Sequence, residues 1–219
     1  GPYSPGVLRS TYQRTGMAWA AEASGAELNE DTATTQVSLP EGRILHRLDL
    51  VQPALDADVI INLPKLKTHN LTTLTLAVKN LFGLVPGALK IGYHGKMPEK
   101  DVFSQGLLDI LTQVRPALHV MDAVVAMEGN GPSGGDPRQV ATILAGADAL
   151  ALDVVAAALV GVDPLDVSTT AAAVERGLTT GRLQDVTLAG DPLDALRVAD
   201  FRRGVNAAID PGLLPPWAS

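Results

Sequence analysis

Short apolar runs that read as strands alternate along this chain with longer runs of helical period, and few folds accept that alternation. Residues 58–63 (DVIINL) are short, β-branched and closed by Pro64, as a buried strand would be. Residues 118–127 (LHVMDAVVAM) read as a second buried strand and 140–144 as a third. Shorter strand-like stretches fall at 27–29, 34–39, 44–50 and 185–189. Helical spacing of apolar residues marks 7–23, 71–82, 101–114, 149–160 and 168–176, with Asp148 placed to cap the fourth of these. Residues 85–97 hold Pro86, Gly87, Gly92 and Gly95 and are predicted to form a loop. The whole predicts a single α/β domain over 1–219, three-layered, with a mainly parallel sheet.

Composition removes several function classes. The chain has no cysteine, which excludes disulfides, thiolate zinc sites, iron–sulfur clusters and a cysteine nucleophile within it. No apolar run reaches the length of a membrane span. A pI near 5.0 argues against general nucleic-acid binding. The opening GPYSPGVLRS lacks the charged-then-apolar design of an export signal; any such signal would lie in a missing front, and the setting expected is cytoplasmic.

The positive charges are segregated. All six lysines (Lys65, Lys67, Lys79, Lys90, Lys96, Lys100) lie between positions 65 and 100, while every arginine lies outside that window. With Glu99 as its one acid, the window is strongly positive in a chain whose net charge is −7. Lysine is a compact point charge whose pKa moves on burial, and arginine is a fixed planar fork. The segregation therefore suggests sites where an amine is required, against the plainer alternative of a solvated lysine-rich loop.

Ligands bind outside the carboxyl ends of strands in open α/β sheets, and two predicted strands end in polar sequence. After DVIINL comes Pro64-Lys65-Leu66-Lys67-Thr68-His69. If that segment stays extended, Lys65, Lys67 and His69 share one side and suit a phosphate or carboxylate. Lys79 and Asn80 interrupt the following helix, and Lys90 and His94 lie in the glycine-containing loop, which could act as a lid. The second strand end is EGNGPSGGD, residues 128–136. Its glycines allow a backbone anion nest around Asn130, Gly131 and Gly134, while Glu128 and Asp136 could instead offer oxygens to a hard cation. A plain glycine-rich turn fits as well. It is neither a Walker loop nor a dinucleotide fingerprint. Asp122 and Asp153 interrupt apolar elements, where a carboxylate needs a partner. Each is a structural ion-pair member or a general base, with the nearby lysines as candidate partners, and Asp148 reads as the structural cap. No nucleophile elbow, His-Glu-x-x-His or Cys–His pair is present.

Taken in order, DVIINLPKLKTH, LAVKNLFGLVPG with its following Lys and His, MEGNGPSGGDP and DALALDVVAAALVG resemble the prokaryotic domain-of-unknown-function family 362, from about residue 1 to 177. The resemblance singles out Lys65, Lys67, His69, Lys79, Asn80, Lys90, His94, Glu128, Asn130, Gly131, Pro132, Gly134, Asp148 and Asp153. Many members carry a ferredoxin-like segment with cysteine-rich cluster motifs. This chain has no cysteine, so an electron-transfer role does not carry over. The opening resembles the interior of the family domain, which predicts a fragment lacking N-terminal strands, with an exposed edge favouring a homo-oligomer.

Two functions are expected from these residues. In the first, Lys65, Lys67 and His69, aided by Asn80 and the 128–136 loop, bind a small anionic metabolite or cofactor of unspecified identity. Lys79 or Lys90 then opposes developing negative charge and His94 is the acid/base. In the second, the positive segment docks an acidic iron–sulfur redox partner without catalysis. No resident metal, nucleic acid or membrane partner is expected.

Overall fold

Residues 5–204 are described by the computed structural model. The single helix expected over 7–23 is two, α1 (Pro5–Arg14) and α2 (Met17–Ser24), because Gly16 between them sits at φ 77°, a left-handed conformation that ends a helix. β1 (Thr34–Ser38) and β2 (Arg47–Val51) form an antiparallel pair, followed by α3 (Gln52–Asp56). Residues 27–29 form no strand.

The main sheet contains β3 (Ile61–Asn62), β4 (Lys65–His69), β5 (Thr73–Thr75), β6 (Leu118–Glu128) and β7 (Asp136–Gly146). β3 and β4 both run parallel to β6, with Ile61 opposite Leu118 and Lys65 opposite Asp122. Since β7 takes the other edge of β6 antiparallel over 119–128, β3 and β4 must succeed one another along the same edge. β5 folds back antiparallel on β4. The α/β class expected from the alternation is what forms.

Four further segments depart from expectation. Residues 58–63 are not a two-sided buried strand, since Val59, Ile61 and Leu63 are 63%, 55% and 69% exposed and Asn62 is buried. An apolar run betrays the need for a partner surface but not whether both faces receive one. Residues 71–82 are not one helix. The His69 imidazole takes the amide protons of Leu71 and Thr72, turning the chain back into the threonine-rich β5 before α4 (Ala77–Asn80) and a 3₁₀ turn (Leu81–Leu84). Residues 85–97 are not a loop but hold α5 (Gly87–Lys96), which starts after Pro86 and buries Tyr93 and Met97 one turn apart. Residues 185–189 form no strand.

α7 (Ala149–Leu159) packs against β7 and, with α6 (Lys100–Val114), shares one core with Met121, Ala123 and Ala126, which are buried on one face of the sheet. The opposite face leaves Ile61, Val124 and Ile143 exposed, where a three-layer arrangement would bury them. α8 (Ser168–Glu175) packs on α6, and α9 (Leu193–Leu196) follows near the end of the described chain. Asp109 of α6, fully buried, accepts the amides of Arg43, Ile44 and Leu45 and the Arg176 guanidinium, tying the stretch before β2 to the helical layer. Tyr93 does the same for α5: its hydroxyl donates to Asp49 of β2 at 2.9 Å and accepts that residue's amide at 3.0 Å. No described helix is long and apolar enough to cross a membrane.

Candidate functional site

β4, α4 and α5 bring Lys67, His69, Lys79, Lys90 and His94 together. β4 stays extended past its pairing with β6, so Lys67 and His69 emerge two residues apart on one side. α5 being helical puts Lys90 and His94 on one face, four residues apart. Two of the chain's three phenylalanines provide the floor. The Lys79 ammonium lies 4.9 Å from the Phe82 ring centre and 5.6 Å from that of Phe103, and Lys90 lies 5.8 Å from Phe82. His94 stacks on Phe103 at 4.9 Å. Both phenylalanines are fully buried or nearly so. Phe82 lies three residues from Lys79 in a chain with 4% aromatic residues, a signal the sequence offered, whereas Phe103 is 24 residues away and only the fold brings it there.

Electrostatics follow from this crowding of cations. Burial, then the neighbouring Lys79, His94 and Lys67 charges, push the His69 imidazole down to about 3. It is therefore neutral at pH 7. Its Nδ1 accepts amide protons at 3.1 and 3.3 Å, so the ring proton belongs on Nε2. Burial, then Lys90 and Lys67, lower Lys79 to about 8. Burial lowers Lys67, and burial followed by Lys79 and Lys90 lowers His94. Among the described residues none of Lys67, Lys79 and Lys90 is in an ion pair.

The other expected residues lie apart or are occupied. Lys65 leaves the group to bind Asp122 at 2.7 Å, an exposed pair whose hydrogen bond holds the Asp122 carboxyl below its usual range. A register shift against β6 between Lys65 and Lys67 accompanies this separation. Asn80 donates to the Asn62 Oδ1 at 2.7 Å, and Asn62 donates to the Ala77 carbonyl and meets His119 at 3.0 Å. That buried polar chain tethers α4 to the sheet and absorbs Asn80. Asp148 caps α7, accepting from Leu150 and Ala151. Asp153, fully buried, finds no lysine; its two oxygens accept the Ala77 and Val78 amides at 2.7 and 3.2 Å, fixing the turn that carries Lys79.

The glycine loop does approach the cluster, since Lys67 donates to the Pro132 carbonyl at 3.1 Å. Three of its amides are already used: Gly129 donates to the Arg202 carbonyl, Gly131 to the Gly129 carbonyl and the Thr68 hydroxyl, and Gly134 to the Asn130 carbonyl. Glu128 and Asp136 are bridged by Arg202, which gives Glu128 both its amide and its guanidinium. These contacts pull the Glu128 carboxyl down. The loop thus packs as a brace, and Gly131 is there for closeness, because an added Cβ would overlap the Thr68 carbonyl. Gly131→Ala is expected to cost about 3 kcal/mol in urea unfolding, since the obstruction is backbone and cannot swing aside. A cost under about 0.5 kcal/mol would mean the loop is not braced on β4. Among the described residues no group of three or more acidic or histidine side chains could hold a metal ion.

Two clefts lie elsewhere. One of about 430 Å³ lies between residues 158–165 and 181–184, and one of about 690 Å³ between the end of β7, α7 and residues 178–189. Neither is lined by a lysine or histidine of the cluster.

The model of a family described as Domain of unknown function (DUF362) matches residues 3–158. Thylakoid-associated protein sll1697 of Synechocystis sp. (strain ATCC 27184 / PCC 6803 / Kazusa) is 43% identical over 136 residues, which cover 61% of this chain and 42% of that protein. The chain thus spans less than half the length of the curated relative it matches. No solved structure matches it.

Proposed function

The chain belongs to the DUF362 family, and we propose that its Lys67, His69, Lys79, Lys90 and His94 cluster binds a small phosphate- or carboxylate-bearing metabolite or cofactor as part of an enzymatic site. One observation carries this: three ammonium groups share a half-buried space without a carboxylate partner among the described residues. Like charges gathered in a poorly solvated place raise each other's energy, and an anion relieves that cost. In this arrangement Lys67 and Lys90 hold the anion, the Nε2–H of neutral His69 donates to it, and Lys79 faces charge that develops during reaction. His94, kept neutral by burial and its cationic neighbours, is the acid/base.

Sulfate titrated by calorimetry tests this without a probe that itself titrates. Lys67→Ala should weaken sulfate about tenfold, the loss of one charge-assisted hydrogen bond, and Lys65→Ala should leave it unchanged because Lys65 is committed to Asp122. Equal losses in the two variants would mean general surface attraction and would remove the site.

Docking of an acidic iron–sulfur protein is the second reading. It draws on Lys96 and Lys100, which are exposed, while the convergence of Lys67, Lys79 and Lys90 supports the small-anion reading. A docking face would give association that weakens steeply with salt and is lost in Lys96→Ala/Lys100→Ala.

A further inference from the structure

An amine among amines is a different chemical object from an amine beside a carboxylate. A lysine in an ion pair is held protonated and its lone pair is unavailable. Lys79 has no such partner among the described residues and is flanked by Lys67 and Lys90, both of which lower its proton affinity after burial has done so. Its nitrogen sits over two phenylalanine faces, at 4.9 and 5.6 Å. Asp153 fixes the backbone of its turn from beneath, so the amine is presented from a rigid base. Lysines desolvated next to other cations are the ones that attack carbonyl groups.

Resting on the anion-site reading, we infer that Lys79 is a nucleophile that condenses with a carbonyl carbon of the bound anion, so that the substrate class is an anionic aldehyde or ketone. The free amine's lone pair forms the C–N bond while the carbonyl π pair moves to oxygen. A proton passes from nitrogen to that oxygen, for which the neutral His94 imidazole is the carrier. The nitrogen lone pair then expels the hydroxyl, which leaves as water with one proton taken up from solvent. The product is a cationic iminium on Lys79. It carries the same charge as the ammonium it replaces, over the same two rings, so Phe82 and Phe103 stabilise both. Lys67 and Lys90 hold the anionic end, which sets the carbonyl beside Lys79 and no other amine.

Pyridoxal 5′-phosphate, an aldehyde with a phosphate, is the probe, followed by borohydride reduction and peptide mapping by mass spectrometry on the wild-type protein. The reduced adduct is expected on Lys79, forming about tenfold faster than on exposed Lys96 and Lys100. Pyridoxal without its phosphate should lose that preference, and sulfate should protect Lys79. Lys79→Arg should abolish the adduct, because a guanidinium stays protonated and offers no lone pair. If sulfate binds but label falls on Lys67 or Lys90, or on Lys79 no faster than on Lys96, the nucleophile inference is overturned and the anion site stands. If sulfate does not bind the wild type, the anion site itself is lost. The wild-type mapping decides the matter even where a variant fails to fold.

Discussion

Asp153→Ala is expected to destabilise the fold by about 4 kcal/mol in urea unfolding. The carboxylate is fully buried and both oxygens accept amides, those of Ala77 and Val78. Alanine strands two buried donors at once, and each such orphan costs about 1–3 kcal/mol. Asp153→Asn keeps one acceptor but sets an amide NH₂ against the second N–H, so about half that loss is expected. The pH dependence has an uncommon sign. Burial pushes the Asp153 carboxyl from 3.8 up to about 7, outweighing the two hydrogen bonds that pull it down. The folded state therefore binds this proton more tightly than the unfolded state does. The stability from this group is fully present below 3.8 and is lost as pH rises through about 7. The stability gap between wild type and Asp153→Asn should accordingly narrow from pH 4 to pH 8. A gap that widens with pH would show an ordinary ionised carboxylate, favoured rather than opposed by its surroundings.

Sulfate affinity should be flat from pH 6 to 7 and fall about tenfold per unit above pH 8, the slope for loss of one bound proton. Lys79, at about 8, is the group that titrates there. The charged and titratable groups around it are Lys67 and Lys90 on β4 and α5, and His69 and His94 on the same two elements. His69, pushed down to about 3, stays neutral throughout this range, and burial followed by Lys79 and Lys90 shifts His94 below its ordinary value. Lys79→Arg should remove the fall near pH 8 because guanidinium keeps its charge. A decline that begins below pH 7 would instead assign the anion to a histidinium and refute this electrostatic account.

Much of the candidate site was legible because chemistry concentrates in residue choice. Lysines confined to one window, and two histidines within it, pointed at a cluster before any fold was known. Which lysines belong to it was not legible. Lys65 and Lys67 are indistinguishable by type and spacing, and only the strand opposite decides, since it places Asp122 within reach of Lys65. The loop at 128–136 announced flexibility through its glycines. Gly131 instead serves close packing against Thr68 and Gly135 against the Glu128 carbonyl, in a loop held by Arg202, which lies 66 residues beyond Asp136. Asp122 and Asp153 looked alike as carboxylates among apolar neighbours, yet one faces solvent with a lysine and the other caps a buried turn.

By itself the sequence determined the α/β class, the run of β6, α6, α7 and α8, and the segment that holds the amines. These depend on local periodicity, which the chain carries in its own order. Only the tertiary structure decided that residues 85–97 form a helix, that 71–82 turn back at His69, and that Phe82, Phe103 and Asp153 build the surroundings of Lys79. Those outcomes come from contacts between segments far apart in the chain, where the partner rather than the local pattern sets which conformation buries its polar groups at least cost.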